Sequence, residues 1–281
     1  ALHSARGHRD RLWMYETQHT SLPIDQLQYE TRLRLALEQN SLTLHFQPQA
    51  NLRTGRLTGA EALLRWNDDI LGAVPPKIAV QAAESSGLID QLSPWVITSA
   101  VQWCAEFQKI DPEFSVSVNV SPSNLREADL PFYIDRALRT WGVGSSSLTV
   151  EITETAMLVD QNIANEALRE LKSRGVRLSI DDFGTGYSSM YYLAQLPLDE
   201  LKIDLMFVKS MLEVPHHAKI VRSLIELAHN LELTVVAEGV ETEPVMAALA
   251  HLGCDYAQGY YLGKPTPAED LMVRLRKQEG S

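Results

Sequence analysis

The chain has 281 residues, 45% apolar and 22% charged, with a formal net charge of −11. That length allows one large domain or two small ones, and no run approaches the ~18 consecutive apolar residues of a membrane helix. The acidic balance argues against a nucleic-acid polymer as partner, which needs a basic face, but leaves room for a small anion met by local cations.

Residues 1–24 are polar and rich in His and Arg, and read as a short helix fragment and a linker. The opening Ala1-Leu2-His3-Ser4-Ala5-Arg6 lacks the apolar stretch of a signal peptide. Without an initiator Met, the chain is expected to be a piece of a longer protein. A helix should begin at Asp25 with Gln28 completing a capping box, carrying Leu33 and Leu37 on its apolar side. Strand-like runs follow at 42–48, 57–66, 114–120, 148–153, 176–183, 200–204, 233–240 and 256–262. Helical periods lie between most of them. One runs through Ile163, Ala167, Leu168 and Leu171 with Asp160 as its cap, and another from Ile220 to Leu231. Residues 51–56 are too few for a helical crossover, so the first two strands form an antiparallel hairpin. The rest alternates helix and strand, which implies a largely parallel sheet. The fold class is α/β: a modified TIM-type (β/α)₈ barrel with one antiparallel strand near the start, favoured over an open doubly wound sheet. Cys104 and Cys254 are read as buried structural thiols of a reducing cytosol.

The strand-like runs end in polar residues of one chemistry. They supply Glu61, Asn119, Glu151 with Glu154, Asp181 with Asp182, Lys202 with Asp204, Glu238 with Glu241, and Gln258. In a barrel these C-terminal strand ends converge on one face, where active sites sit. Converging carboxylates repel, by on the order of 4 kcal/mol for two charges at ~4 Å and an effective dielectric of ~20, so a cation must neutralise them. Hard oxygen donors without His or Cys suit Mg²⁺ or Mn²⁺ rather than zinc. Adjacent Asp181 and Asp182 could bridge two ions, the usual machinery for cutting a phosphodiester. Taken singly these residues allow plainer readings. The Asp pair could be a turn, Glu151 and Glu154 a solvated face, Lys202 a salt-bridge partner, and Gly184-Thr185-Gly186 either a phosphate cradle or a hinge. His216-His217 is read as a solvated helix start, and Trp66 and Trp103 as packing.

From about Leu27 to Lys277 the chain resembles the EAL-type cyclic di-GMP phosphodiesterases. The resemblance rests on Glu61-Ala62-Leu63 within 59–66, Asn119-Val120-Ser121, and Glu151-Ile152-Thr153-Glu154. It continues through 181–189, Leu201-Lys202-Ile203-Asp204, 237–242 and Gln258-Gly259-Tyr260. It implies that Glu61, Asn119, Glu151 and Asp181 bind one ion, and that Asp181 and Asp182 hold a second. Lys202 would orient the attacking water, Glu238 would be the general base, and Gln258 would lie near the water network. Arg65 would grip a phosphate, with Gln47 and Pro265 near a guanine. Asn124 and Asp204 are counted with the substrate contacts, and Asn124 stands where the family commonly has Gln. Glu154 and Glu241 would anchor the 181–189 region and the substrate end of the site. Further departures are 67–72, which lacks a usual His-Pro, Ala79 in place of Phe, and Leu205 in place of a frequent Arg.

The implied reaction is hydrolysis of cyclic di-GMP to linear pGpG by two ions, supported by Mg²⁺ or Mn²⁺ and inhibited by the larger Ca²⁺. The alternatives are a cyclic di-GMP receptor that does not cleave, a regulatory domain working through its helical face, and an unrelated metal-dependent barrel lyase. Ala1-Leu2, Ala5, Gly7 and Arg9-Asp10-Arg11 resemble the last helix of a GGDEF domain. The expected organisation is therefore an upstream GGDEF-like tail and linker over 1–24 and the EAL domain over 25–281. The whole would be cytoplasmic and homodimeric, with any sensor or inner-membrane tether in upstream segments.

Overall fold

The computed structural model describes residues 22–126, 129–154, 161–184, 193 and 195–280. The tail over 1–21, the cap Asp160 and the run 185–189 lie outside these residues, as does the side chain of Ile163. The chain divides into two compact units, 1–43 with 65–92, and 44–64 with 93–281.

The smaller unit holds helix α1 (Leu22–Glu38), the end of strand β2 (Leu57–Asp68), strand β3 (Gly72–Val74) and helix α2 (Pro76–Ser86). Helix α1 begins three residues before the expected cap at Asp25. Leu33 and Ala36 bury its apolar stripe, and Tyr29 meets the edge of the buried Trp66 ring at 6.4 Å. Strands β2 and β3 pair antiparallel, Trp66 opposite Val74. Their turn is tied by Asp68, whose carboxylate accepts from the Ile70 and Leu71 amides and from Arg32 Nε at 2.8 Å. Burial pushes the Asp68 carboxyl up, but Arg32 and the two amides outweigh it and hold it below its ordinary range. This carboxylate turn stands where the family's His-Pro is missing. Arg65, the expected phosphate contact, lies half-buried on the β2 stretch of this unit.

The larger unit is the barrel. Its strands are β1 (Leu42–Asn51, from Leu44), β2 up to Leu64, β4 (Ser115–Asn119), β5 (Leu148–Thr153), β6 (Arg177–Phe183), β7 (Glu200–Ile203), β8 (Thr234–Ala237) and β9 (Tyr256–Gln258). They hydrogen-bond in the order β1-β9-β8-β7-β6-β5-β4-β2, and a β1–β2 pairing closes the ring. Every pairing from β2 through β4 to β9 is parallel, whereas β1 runs antiparallel to β9. Strand β1 therefore opposes its hairpin partner β2, as the short 51–56 connection requires. A two-residue strand β10 (Thr266–Pro267) adds to β1 outside the ring. Most strands match their sequence runs, but β8 and β9 stop at Ala237 and Gln258, and β7 ends before Asp204. Glu238, Asp204 and Glu241 thus sit on the loops that leave the strands.

The period of two along each strand divides the residues between two environments. Val116, Val118, Val150, Ile152, Leu178, Ile180, Leu201, Ile203 and Val235 belong to one buried apolar cluster. That cluster includes Leu168 and Leu171 of helix α5 (Gln161–Ser173), with Val221 and Ile225 of helix α7 (Pro215–Asn230). Their alternates Glu61, Ser117, Thr149, Glu151, Ser179, Asp181, Lys202 and Gln258 are buried and polar. The hydrophobic core therefore lies between strands and helices, while the barrel interior is polar where most barrels stack aliphatic layers. Both cysteines are free and buried, each thiol pushed up to about 12 by burial. Among the described residues no helix is long and apolar enough to cross a membrane.

Candidate active site

The C-terminal strand ends meet around the ammonium of Lys202, which is fully buried. Its Nζ lies 2.7 Å from Glu238, 2.8 Å from Glu151, 3.3 Å from Asp181 and 3.5 Å from Glu61. Burial alone would lower the lysine pKa, but Glu151, Glu238, Glu61 and Asp181 outweigh it and hold it well above its ordinary value. A single positive charge does not neutralise these acids. Burial, then the neighbouring Glu61 charge, pushes the Glu151 carboxyl well up. Burial carries Glu238 to about 8, with the Asp181 and Glu61 charges adding to it. Glu61 goes the other way. Burial would raise it, but Lys202 and hydrogen bonds from Gln258 and Asn119 hold it down.

Those amides make Glu61 the best-held acid of the group. Asn119 Nδ2 donates to Oε1 and Gln258 Nε2 to Oε2, each at 2.6 Å. Gln258 also reaches Gln47 Oε1 at 3.1 Å, and its own oxygen accepts from Gln49 Nε2 at 2.8 Å.

Strict alternation would send Asp181 and Asp182 to opposite faces of β6. The β6–β7 register shifts between Ile180 and Phe183, and Asp182 takes a left-handed φ of +55°. Asp tolerates that conformation better than most residues because its short side chain bonds locally. The outcome is a group in which Asp181, Asp182 and Glu238 each offer an oxygen within 4.8 Å of the others. Half-burial, then the Asp181 charge and a hydrogen bond with Asp204, pushes the Asp182 carboxyl up to about 6. Asp204 also caps the short helix α6 (Leu205–Lys209) by accepting from the Met206 amide at 2.7 Å.

The residues present fit divalent ions. The donors are carboxylate and amide oxygens, and among the described residues Glu151 Oε1 is buried without a hydrogen-bond partner and four acids face Lys202. Hard oxygen donors of this kind suit Mg²⁺-like ions.

A cleft of about 480 Å³ opens over the cluster, walled by Gln47, Glu61, Asp181, Glu238, Glu241 and Gln258. Leu205, Lys209 and Tyr260 also line it, and Lys209 pairs with Glu241 at 2.8 Å. Gly239 holds a φ of +69°, and a Cβ there would come within 2.5 Å of Leu205 Cβ, so glycine lets this wall close. Glu154 Oε2 accepts from the Gly184 amide at 3.2 Å, within the segment it was expected to anchor.

Of the expected substrate contacts in this unit, Gln47, Glu241 and Gln258 line the cleft, whereas Asn124, Asp204 and Pro265 are not among its described walls. Asn124 is buried, and its side-chain oxygen accepts from Ser93 and Ser121. Pro265 is half-buried, just ahead of β10. Sequence reasoning missed Gln49 and Lys209. The signal for Gln49 was available, since Gln47 and Gln49 are two apart on one strand and share a face.

An acid-lined, cation-seeking mouth on a mixed α/β barrel with one reversed strand defines the class. The chain belongs to the EAL domain family, whose profile matches residues 30–265. It is 37% identical over 277 residues to the bifunctional diguanylate cyclase/cyclic di-GMP phosphodiesterase MucR of Pseudomonas aeruginosa, with 97% of this chain and 40% of MucR covered. It is 38% identical over 283 residues to the cyclic di-GMP phosphodiesterase NbdA of the same organism, covering 98% of this chain and 36% of that protein. The chain thus spans well under half the length of these curated relatives. Among solved structures, the PaMucR phosphodiesterase in complex with c-di-GMP superposes with a TM-score of 0.82 at 39% identity, over 87% of this chain and 99% of that one.

Proposed function

We propose that the chain hydrolyses one phosphodiester bond of cyclic di-GMP to give linear pGpG, using two divalent ions, Mg²⁺ or Mn²⁺, at the barrel mouth. The observation that carries this is the surplus of carboxylate gathered within 3.5 Å of Lys202. The names of MucR and NbdA and the ligand in the PaMucR complex support the choice of substrate.

Glu61, Asn119, Glu151 and Asp181 would hold one ion, and Asp181 with Asp182 the second. Bound there, the ions supply polarisation of the phosphoryl oxygens and neutralise charge developing on them. Lys202 donates to the attacking water and aims it at phosphorus. As the water oxygen bonds to phosphorus and the ester P–O bond breaks, Glu238 takes the proton the water gives up, and the departing ribose oxygen takes up a proton from solvent and leaves as the hydroxyl. Glu241 and Gln47 line the cleft where the rest of the dinucleotide lies.

The same reading makes 25–281 the hydrolase part of a longer cytoplasmic protein with an upstream GGDEF domain, acting as a homodimer, with any membrane tether upstream. Incubation of the pure protein with cyclic di-GMP and Mg²⁺, followed by chromatography, should yield pGpG. Ligand bound but recovered intact would refute hydrolysis and leave a receptor.

A further inference from the structure

Gln49 is assigned no part in the reaction, yet it sits at the end of an amide chain that leads to the centre of the site. Strand β1 runs opposite to β9, so Gln49 lies directly across from Gln258. Gln49 Nε2 donates to Gln258 Oε1 at 2.8 Å, and Gln258 Nε2 donates to Glu61 Oε2 at 2.6 Å. Gly59, two residues before Glu61 on the neighbouring strand, leaves space for this: a Cβ there would come within 3.4 Å of Gln49 Oε1 and 2.9 Å of Ser115 Oγ.

The chain of amides has one self-consistent sense. Glu61 as a carboxylate only accepts, so the Gln258 group facing it must be the donor NH₂. That turns the Gln258 oxygen the other way, where a donor has to meet it, and Gln49 supplies that donor. If Gln258 flipped, two acceptors would face each other across 2.6 Å in a buried site, with the cost of an unsatisfied polar pair.

We infer that Gln49 is a positioning residue: by engaging the Gln258 oxygen it fixes the amide that holds Glu61 ready for a metal ion. The inference rests on the reading of Glu61 as a metal ligand. Partners one layer behind a ligand orient it, and their loss typically costs about 10–100-fold in metal affinity. Gln49 stands one hydrogen bond further back, so the low end, roughly tenfold, is expected.

The test separates donor from acceptor at nearly constant size. Gln49→Lys keeps a donor toward Gln258. Gln49→Glu offers only acceptors, and Gln49→Leu offers neither. Mg²⁺ affinity is read by calorimetry without substrate, alongside the metal dependence of kcat and KM. Gln49→Glu and Gln49→Leu should each weaken Mg²⁺ binding roughly tenfold, with Gln49→Lys within about threefold of the parent. Melting temperatures in chelator show whether each variant folds, and a variant that does not melt cooperatively is replaced by Gln49→Met. Parent-like Mg²⁺ binding by Gln49→Glu and Gln49→Leu, or equal loss in Gln49→Lys, overturns the role. Glu61→Ala is the control. If it too binds Mg²⁺ like the parent, the metal assignment fails, whereas if it alone loses binding, only the relay fails.

Discussion

Replacing Lys202 with Met removes the buried ammonium that faces Glu61, Glu151, Asp181 and Glu238 while keeping an unbranched chain of similar length. At an effective dielectric of ~20, each of its contacts at 2.7–3.5 Å is worth about 5–6 kcal/mol of attraction. Most of that is offset by desolvating the partners, and breaking a buried pair from one side costs about 3–5 kcal/mol net. For a domain of this size that is a fall of roughly 6–20 °C in Tm, measured in chelator. Divalent ions bring positive charge to the same acids. Mg²⁺ at ~100 times its dissociation constant should add ~2.7 kcal/mol to the parent, and it should add more to Lys202→Met. Turnover should fall through kcat, with affinity for cyclic di-GMP changed only a few fold. A differential melt series with and without Mg²⁺, beside steady-state kinetics, reads all of this. A parent-like melt in chelator would contradict the ion-pair network, and a parent-like kcat would remove Lys202 from catalysis.

In an ion series, Mg²⁺ and Mn²⁺ should support turnover. Ca²⁺ should raise the melting temperature while blocking turnover, because its longer bonds hold water too loosely. Zn²⁺ should gain no special advantage from a site without His or Cys, and full activity in chelator would refute the two-ion mechanism. In the smaller unit, Asp68→Asn should cost about 1.5–3 kcal/mol at pH 7 by urea denaturation, the worth of a charge-assisted hydrogen bond. The Asp68 carboxyl is held low in the fold, so its contribution is present above the ordinary carboxylate pKa of ~3.9. It disappears as pH falls through the depressed folded value, and the gap between parent and variant should close below about pH 4. A gap that persisted at pH 2 would mean the charge is not its source.

The barrel was legible because its signals are local. A hairpin too short for a crossover, helices alternating with strands, and polar residues at strand ends each survive in a few consecutive residues. Glu61, Glu151, Asp181, Lys202 and Glu238 were found this way, and the structure brings them together. What stayed hidden depends on register across the ring. Gln49 meets Gln258 only because β1 is reversed and paired at one register, a relation between residues 209 positions apart. Asn124 was counted with the substrate contacts on the family resemblance alone, and the structure buries it in a short helical turn against two serines. The start of α1 was misread because Asp25 makes a good cap, although helix continues back to Leu22 through Pro23.

The reversed strand also settles where the chain joins the ring. In an all-parallel barrel the first strand starts at the floor, away from the chemistry. Here Asn51 lies at the floor beside Tyr256, while Gln49 lies beside Gln258 at the mouth, so Leu44 begins the ring at the end where the acids and Lys202 gather.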